Sequence, residues 1–182
     1  MFEYDKEMII RSLKIYGFDM EEIDVDKINY VPMHDYRVAT NNKPLLYINN
    51  LQCCVGVYAY NNNFGFCAHI NTVAMENGDY EVDHNKKPTR CRRIDDLYET
   101  ILKEKEKFIN PVKLGISLGS NPLDKEVPTM RMIYKEIATL ICKLNKVGID
   151  YILLPEQQES NFIIDTENSK IIYPNHKKIR NK

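Results

Sequence analysis

The chain carries 182 residues, 43% hydrophobic and 28% charged, with only 7 Gly and 8 Pro, which excludes a disordered, collagen-like or coiled-coil polymer. Its 25 Lys and Arg against 26 Asp and Glu leave a formal charge of -1, without the basic excess that grips phosphate backbones, so no nucleic-acid partner is expected. No apolar run approaches the roughly 18 residues that span a bilayer, Met1 to Glu7 is acidic where a secretory signal is basic, and the five cysteines form an odd set, so a cytoplasmic protein with reduced thiols and no membrane insertion is expected.

Met8, Ile9, Leu13 and Tyr16 follow helical spacing and stop at Gly17, which predicts a helix from about Asp5 to Tyr16, within an N-terminal extension of residues 1–27. From Ile28 the preference changes. Tyr30, Val31, Tyr36 and Val38, then Leu45 to Ile48, favour β-structure and are split by Asn41 to Pro44, which predicts two strands. Val55 to Tyr60, the turn Asn61 to Asn63, and Phe64 to Thr72 predict a hairpin, since Asn tolerates positive φ. Gly78 to Arg92 is polar and predicts a surface loop.

Ile94, Leu97, Tyr98, Ile101 and Leu102 recur at helical spacing, with acidic Asp95 and Asp96 near the helix start, so a helix to about Phe108 is expected. Val112 to Leu118 alternates as a strand ended by Gly119 to Pro122. A second long helix runs from Pro128-Thr129 to Gly148 on the stripe Ile133, Ile137, Leu140, Ile141 and Leu144. Tyr151 to Leu154 predicts a short buried strand, and Phe162 to Ile164 with Ile171 to Tyr173 a last hairpin. The order predicts an α+β fold whose mixed sheet is covered by helices, over residues 28–175, with a basic tail at 176–182.

Among the cysteines, Cys142 falls inside the long helix, where it is expected to pack, and Cys91 lies between arginines with no neighbouring histidine. His34 and His84 are expected at the surface and His176 in the tail. Cys53, Cys54, Cys67 and His69 remain. The hairpin folds His69 back toward Cys54, and a thiol beside an imidazole is the minimum apparatus for attack on an acyl carbon. Two other arrangements stay open: a packed core with one satisfied histidine, or zinc held by all four, although adjacent cysteines do not match the usual C-x₂₋₄-C spacing.

The motifs Leu51-Gln52-Cys53-Cys54-Val55-Gly56-Val57 and Gly65-Phe66-Cys67-Ala68-His69 resemble the CheD family of chemoreceptor glutamine deamidases, and more distantly the cytotoxic necrotizing factor type deamidases. The resemblance extends over roughly Ile28 to Tyr173. It implies a layered α/β/β sandwich of mixed sheets flanked by helices, and a cysteine hydrolase without cofactor or metal. It selects Cys54 as nucleophile and His69 as base, and places Ile48, Asn49, Asn50, Cys53, Gly119 and Ser120 around the oxyanion and substrate.

Many relatives carry a Thr where this chain has Ile48, so orienting the imidazole would fall to a backbone carbonyl, Asn49 or Asn50. Loop changes at Glu156 to Ser160 and Ile133 to Glu136 point to a different substrate preference. The implied substrate is a protein with an exposed glutamine, with chemoreceptors as the first class to consider and a signalling phosphatase-like protein as a possible partner. The implied chemistry runs through a thioester, with His69 protonating the ammonia and then serving the water. The competing expectation is a CheD-like binding module for chemotaxis or signalling that has lost turnover.

Overall fold

The computed structural model describes residues 5–52, 54–71, 79–85, 87–108, 110–119 and 128–175. Helix α1 (Lys6–Tyr16) begins at Asp5, whose carboxylate accepts the Glu7 N–H, and ends at Gly17 in the left-handed conformation (φ 82°). It buries Ile9 and Leu13, while Met8 stays 45% exposed.

Strands β1 (Ile28–Tyr30), β3 (Leu45–Ile48), β10 (Phe162–Asp165) and β11 (Lys170–Ile172) form one mixed sheet in the order β1-β3-β10-β11, with β1 and β3 parallel. Strands β2 (Asp35–Val38), β4 (Cys54–Asn61), β5 (Phe64–Asn71), β8 (Val112–Ser117) and β9 (Tyr151–Leu153) form a second, in the order β2-β5-β4-β8-β9, mixed because β8 and β9 are parallel.

The two sheets pack face to face through Leu46, Ile48, Tyr58, Tyr60, Cys67, Phe162 and Ile164. Ile9, Leu13 and Phe18 cover the outer face of the first sheet against Leu45, Tyr47 and Ile163. Helices α2 (Arg92–Glu104) and α3 (Pro128–Lys146) cover the outer face of the second, where Ile94, Leu97, Ile101, Ile133, Leu140 and Leu144 meet Val55, Val57, Ala59, Phe66 and Ala68. Period-2 alternation drives this layering, since every residue of β4 is buried, odd positions against the helices and even positions against the other sheet. The fold is therefore α+β, with helices on the outer faces of two mixed sheets.

Four expectations need correction. The region predicted as one strand from Ile28 to Val38 is two, because the chain leaves the first sheet after β1 and enters the second at β2. Pro32 lacks a ladder N–H and His34 takes a left-handed φ of 63°, so the strand breaks there. The predicted surface loop contains the ladder of β6 (Tyr80–Val82) and β7 (Pro88–Cys91), with Tyr80 and Cys91 buried in the core shared with α2 and α3. Tyr151 to Leu153 is an edge strand whose Ile152 and Leu153 are about half exposed, because apolar content alone does not tell edge from centre. Cys142 is exposed, one position off the buried stripe of α3.

Candidate functional site

Cys54 opens β4 and His69 lies near the end of β5. In their antiparallel ladder Gly56 sits opposite His69 and Cys54 opposite Asn71, so Cys54 and His69 are diagonal neighbours on one face. That face looks into the inter-sheet layer. A Cβ on Gly56, between them, would lie 3.1 Å from Leu51, 3.4 Å from Phe162 and 3.6 Å from Ile48, so the glycine keeps this corner open beneath the first sheet.

Both side chains are buried, Cys54 at 2% exposure and His69 at 3%. Cys54 Sγ lies 3.8 Å from Met33 Sδ, and Met33 is itself 51% exposed, so the thioether stands between the thiol and solvent. Neither ring nitrogen of His69 has a hydrogen-bond partner, an uncommon state for a buried imidazole. Burial pushes its pKa down to about 4, opposed by the facing Val31 carbonyl and by Asp79, with His34 acting in the same direction as burial. His69 is thus neutral near pH 7, with both nitrogens unengaged.

Of the other residues implied by resemblance, Ile48, Asn49, Asn50 and Gly119 are described. Ile48 is fully buried between the sheets. Asn49 gives its amide to Ser12 Oγ (2.7 Å) and accepts from the Tyr30 hydroxyl (2.9 Å), which turns it toward α1 and away from the imidazole. Asn50 adopts φ 59° and its N–H donates to Asn161 Oδ1 (3.0 Å). Neither Asn49 nor Asn50 hydrogen-bonds the His69 ring, whose nitrogens have no partner. Gly119, at φ 71°, approaches Leu51 so closely that a Cβ would lie 1.6 Å from the Leu51 carbonyl oxygen, which pins the end of β8 against the segment leading to Cys54. Cys53 and Ser120 lie outside the described residues, as does His176.

The remaining thiols divide by environment. Cys67 is fully buried and burial pushes its pKa up. Cys91 is also buried, with its pKa pushed up to about 12, so the neighbouring arginines do not make it a thiolate. Among the described residues no cluster of three or more His, Cys, Asp or Glu is arranged to hold a metal ion, and no helix is long and apolar enough to cross a membrane.

Sequence reasoning missed a second polar group at this corner. His34, expected at the surface and 38% exposed there, donates from Nδ1 to Asp79 Oδ2 (3.1 Å), and the Asp79 side chain is fully buried. The same carboxylate accepts the Asn71 N–H (3.0 Å) and Arg93 Nε (3.1 Å), while Arg93 also reaches Asp96 (2.8 Å) and the His34 carbonyl (2.8 Å). The available signal was Pro32, which interrupts a β-favouring run just before a Met-His-Asp triplet. A separate recess of about 360 Å³ lies by the segment that precedes Cys54, lined chiefly by Asn50, Gln52, Gln158, Glu159, Ser160 and Asn161.

Neither the models of known protein families nor the curated proteins include a match to this chain.

Proposed function

We propose that this chain is a cysteine hydrolase that deamidates glutamine side chains in a protein substrate, as the CheD-like and cytotoxic necrotizing factor type deamidases it resembles do. The observation that carries the reading is the shared face of Cys54 and His69, with the imidazole neutral and both of its nitrogens unpartnered. A buried, uncommitted imidazole is costly as architecture and useful as a base.

In this reading His69 takes the Cys54 proton, the thiolate attacks the carboxamide carbon, and backbone N–H groups at the start of β4 stabilise the oxyanion. His69 returns the proton to the departing ammonia, which leaves a thioester for water to open. The carboxamide-rich recess next to Gln52 suits an extended peptide, whose backbone offers matching donors and acceptors. Chemoreceptor fragments are the first substrates to try, with a signalling phosphatase-like protein as a partner and the cytoplasm as the setting.

The burial of both residues and the presence of Ile48 favour one second reading, a binding module that keeps the fold without turnover. Ammonia release together with intact-mass analysis of receptor fragments separates the two. The hydrolase raises the fragment mass by amide-to-acid conversion, loses this with Cys54→Ser or His69→Ala, and keeps much of it with Cys53→Ser. Equal loss from Cys53→Ser alone would show that the nucleophile is the neighbouring thiol, and no mass change with any fragment favours the binding module.

A further inference from the structure

His34 is held in a conformation that its residue type does not favour. Its φ of 63° is left-handed, an uncommon conformation for a non-glycine residue, and three contacts hold it there. Its N–H donates to the His69 carbonyl (2.9 Å), its own carbonyl accepts from Arg93, and its ring is bonded to Asp79. The preceding residue, Met33, reaches Cys54 Sγ.

The position relative to the thiol follows from the ladder. Asn71 is the cross-strand partner of Cys54, and its N–H donates to the same Asp79 oxygen that His34 Nδ1 contacts. Asp79 thus joins the second imidazole to the residue paired with Cys54, and Met33, next to His34, touches the thiol itself. They differ in exposure: His69 sits beneath the first sheet, whereas the His34 side chain is 38% exposed. A carboxylate only accepts, so the Asp79 contact is made by a proton on Nδ1 and turns Nε2 away from the carboxylate, the same logic by which a buried aspartate sets a catalytic histidine.

We infer that His34 is a second catalytic base of this site, which takes the proton of the water that opens the thioester, with Asp79 as its positioning residue. The inference rests on the hydrolase reading above and divides its labour. His69 serves the buried acylation half, and His34 serves the half whose reactant arrives from solvent. As the water oxygen bonds to the thioester carbonyl carbon, its proton passes to His34 Nε2. The carbon–sulfur bond then breaks, the electron pair stays on Cys54 sulfur, and the imidazolium proton restores the thiol as the carboxylic acid departs.

The test uses p-nitrophenyl acetate, a generic acyl donor, so that no natural substrate is needed. The full-length protein should give a burst of nitrophenolate from acylation of Cys54, followed by slower turnover. His34→Asn keeps a side chain that tolerates positive φ; it should retain the burst and lose about 100-fold in steady-state rate, the usual worth of a general base. His34→Gly should lose as much and regain turnover when imidazole is added, measured above a Cys54→Ser background. Wild-type turnover by His34→Asn overturns the inference, as does a His34→Gly protein that imidazole leaves slow. A wild-type protein with no burst, or a burst that survives Cys54→Ser, overturns the hydrolase reading itself and the inference with it.

Discussion

His34 donates its backbone N–H to the carbonyl of His69 at 2.9 Å, so the segment crossing between the sheets is tied to the strand that carries the candidate base. Met33, one residue earlier, forms a bridge with the same histidine and lays its thioether against Cys54. The cover over the thiol is thereby held from below by the site it covers.

Shortening that cover should expose the sulfur. With Met33→Ala, alkylation of Cys54 by iodoacetamide is expected to accelerate several-fold near neutral pH, while the buried Cys67 and Cys91 remain slow. Peptide mapping after timed labelling separates the thiols. An unchanged Cys54 rate would mean that Met33 does not control access.

The depressed titration of His69 makes stability depend on pH with a definite sign. Unfolded, the ring titrates near 6.5; folded, near 4. Between those values the unfolded chain binds more protons, so stability falls as pH drops through 6.5 and levels off below about 4, a loss of about 3 kcal/mol from this group. Urea unfolding of wild type and His69→Gln across pH 4–7 measures it, and the total loss of stability over that interval should be smaller by that amount in the variant. Identical slopes would show that the buried ring is solvated when charged.

Asp79 and Asp96 both pair with Arg93 and should differ in worth. The Asp79 side chain is fully buried and also anchors His34 and Asn71, so Asp79→Asn is expected to cost about 3 kcal/mol by leaving Arg93 and two donors under-compensated. Asp96 is 32% exposed, and Asp96→Asn should cost less than about 1 kcal/mol. Denaturant midpoints decide between them, and comparable losses would remove the special standing of the buried carboxylate.

Local chemistry made most elements legible in the sequence. Gly17 and Gly148 stop their helices in left-handed conformations, and the Asn61 to Asn63 turn sets the β4–β5 ladder that fixes Cys54 and His69 on one face. What stayed hidden depends on partners distant in sequence. Nothing near Asp79 signals burial, because its partners are His34 from the β1–β2 connection, Asn71 from β5 and Arg93 from α2. The split between β1 and β2 decides which sheet each half joins, and pairing with Leu45–Tyr47 on one side and Phe66–His69 on the other settles it. Asn49 offered itself as an orienting group by proximity in sequence, yet the alternation of β3 turns it to the outer face.

Two left-handed glycines provide an internal control for how tightly the nucleophile's loop is held. Gly148 (φ 69°) has open space where a Cβ would go, so Gly148→Ala carries the conformational cost alone, about 1 kcal/mol. Gly119 (φ 71°) bears the same cost together with an overlap at 1.6 Å from the Leu51 carbonyl oxygen and 2.7 Å from its carbon. Leu51 is fully buried and its N–H is bonded to the Ser160 carbonyl (3.1 Å), so it cannot step aside without shifting the loop that delivers Cys54. Gly119→Ala should therefore destabilise by at least about 2 kcal/mol more than Gly148→Ala in urea unfolding, and should alter Cys54 alkylation where Gly148→Ala does not. Equal effects of the two substitutions would mean that the end of β8 does not press on Leu51 in solution, and that the start of β4 is positioned by its ladder with β5 alone.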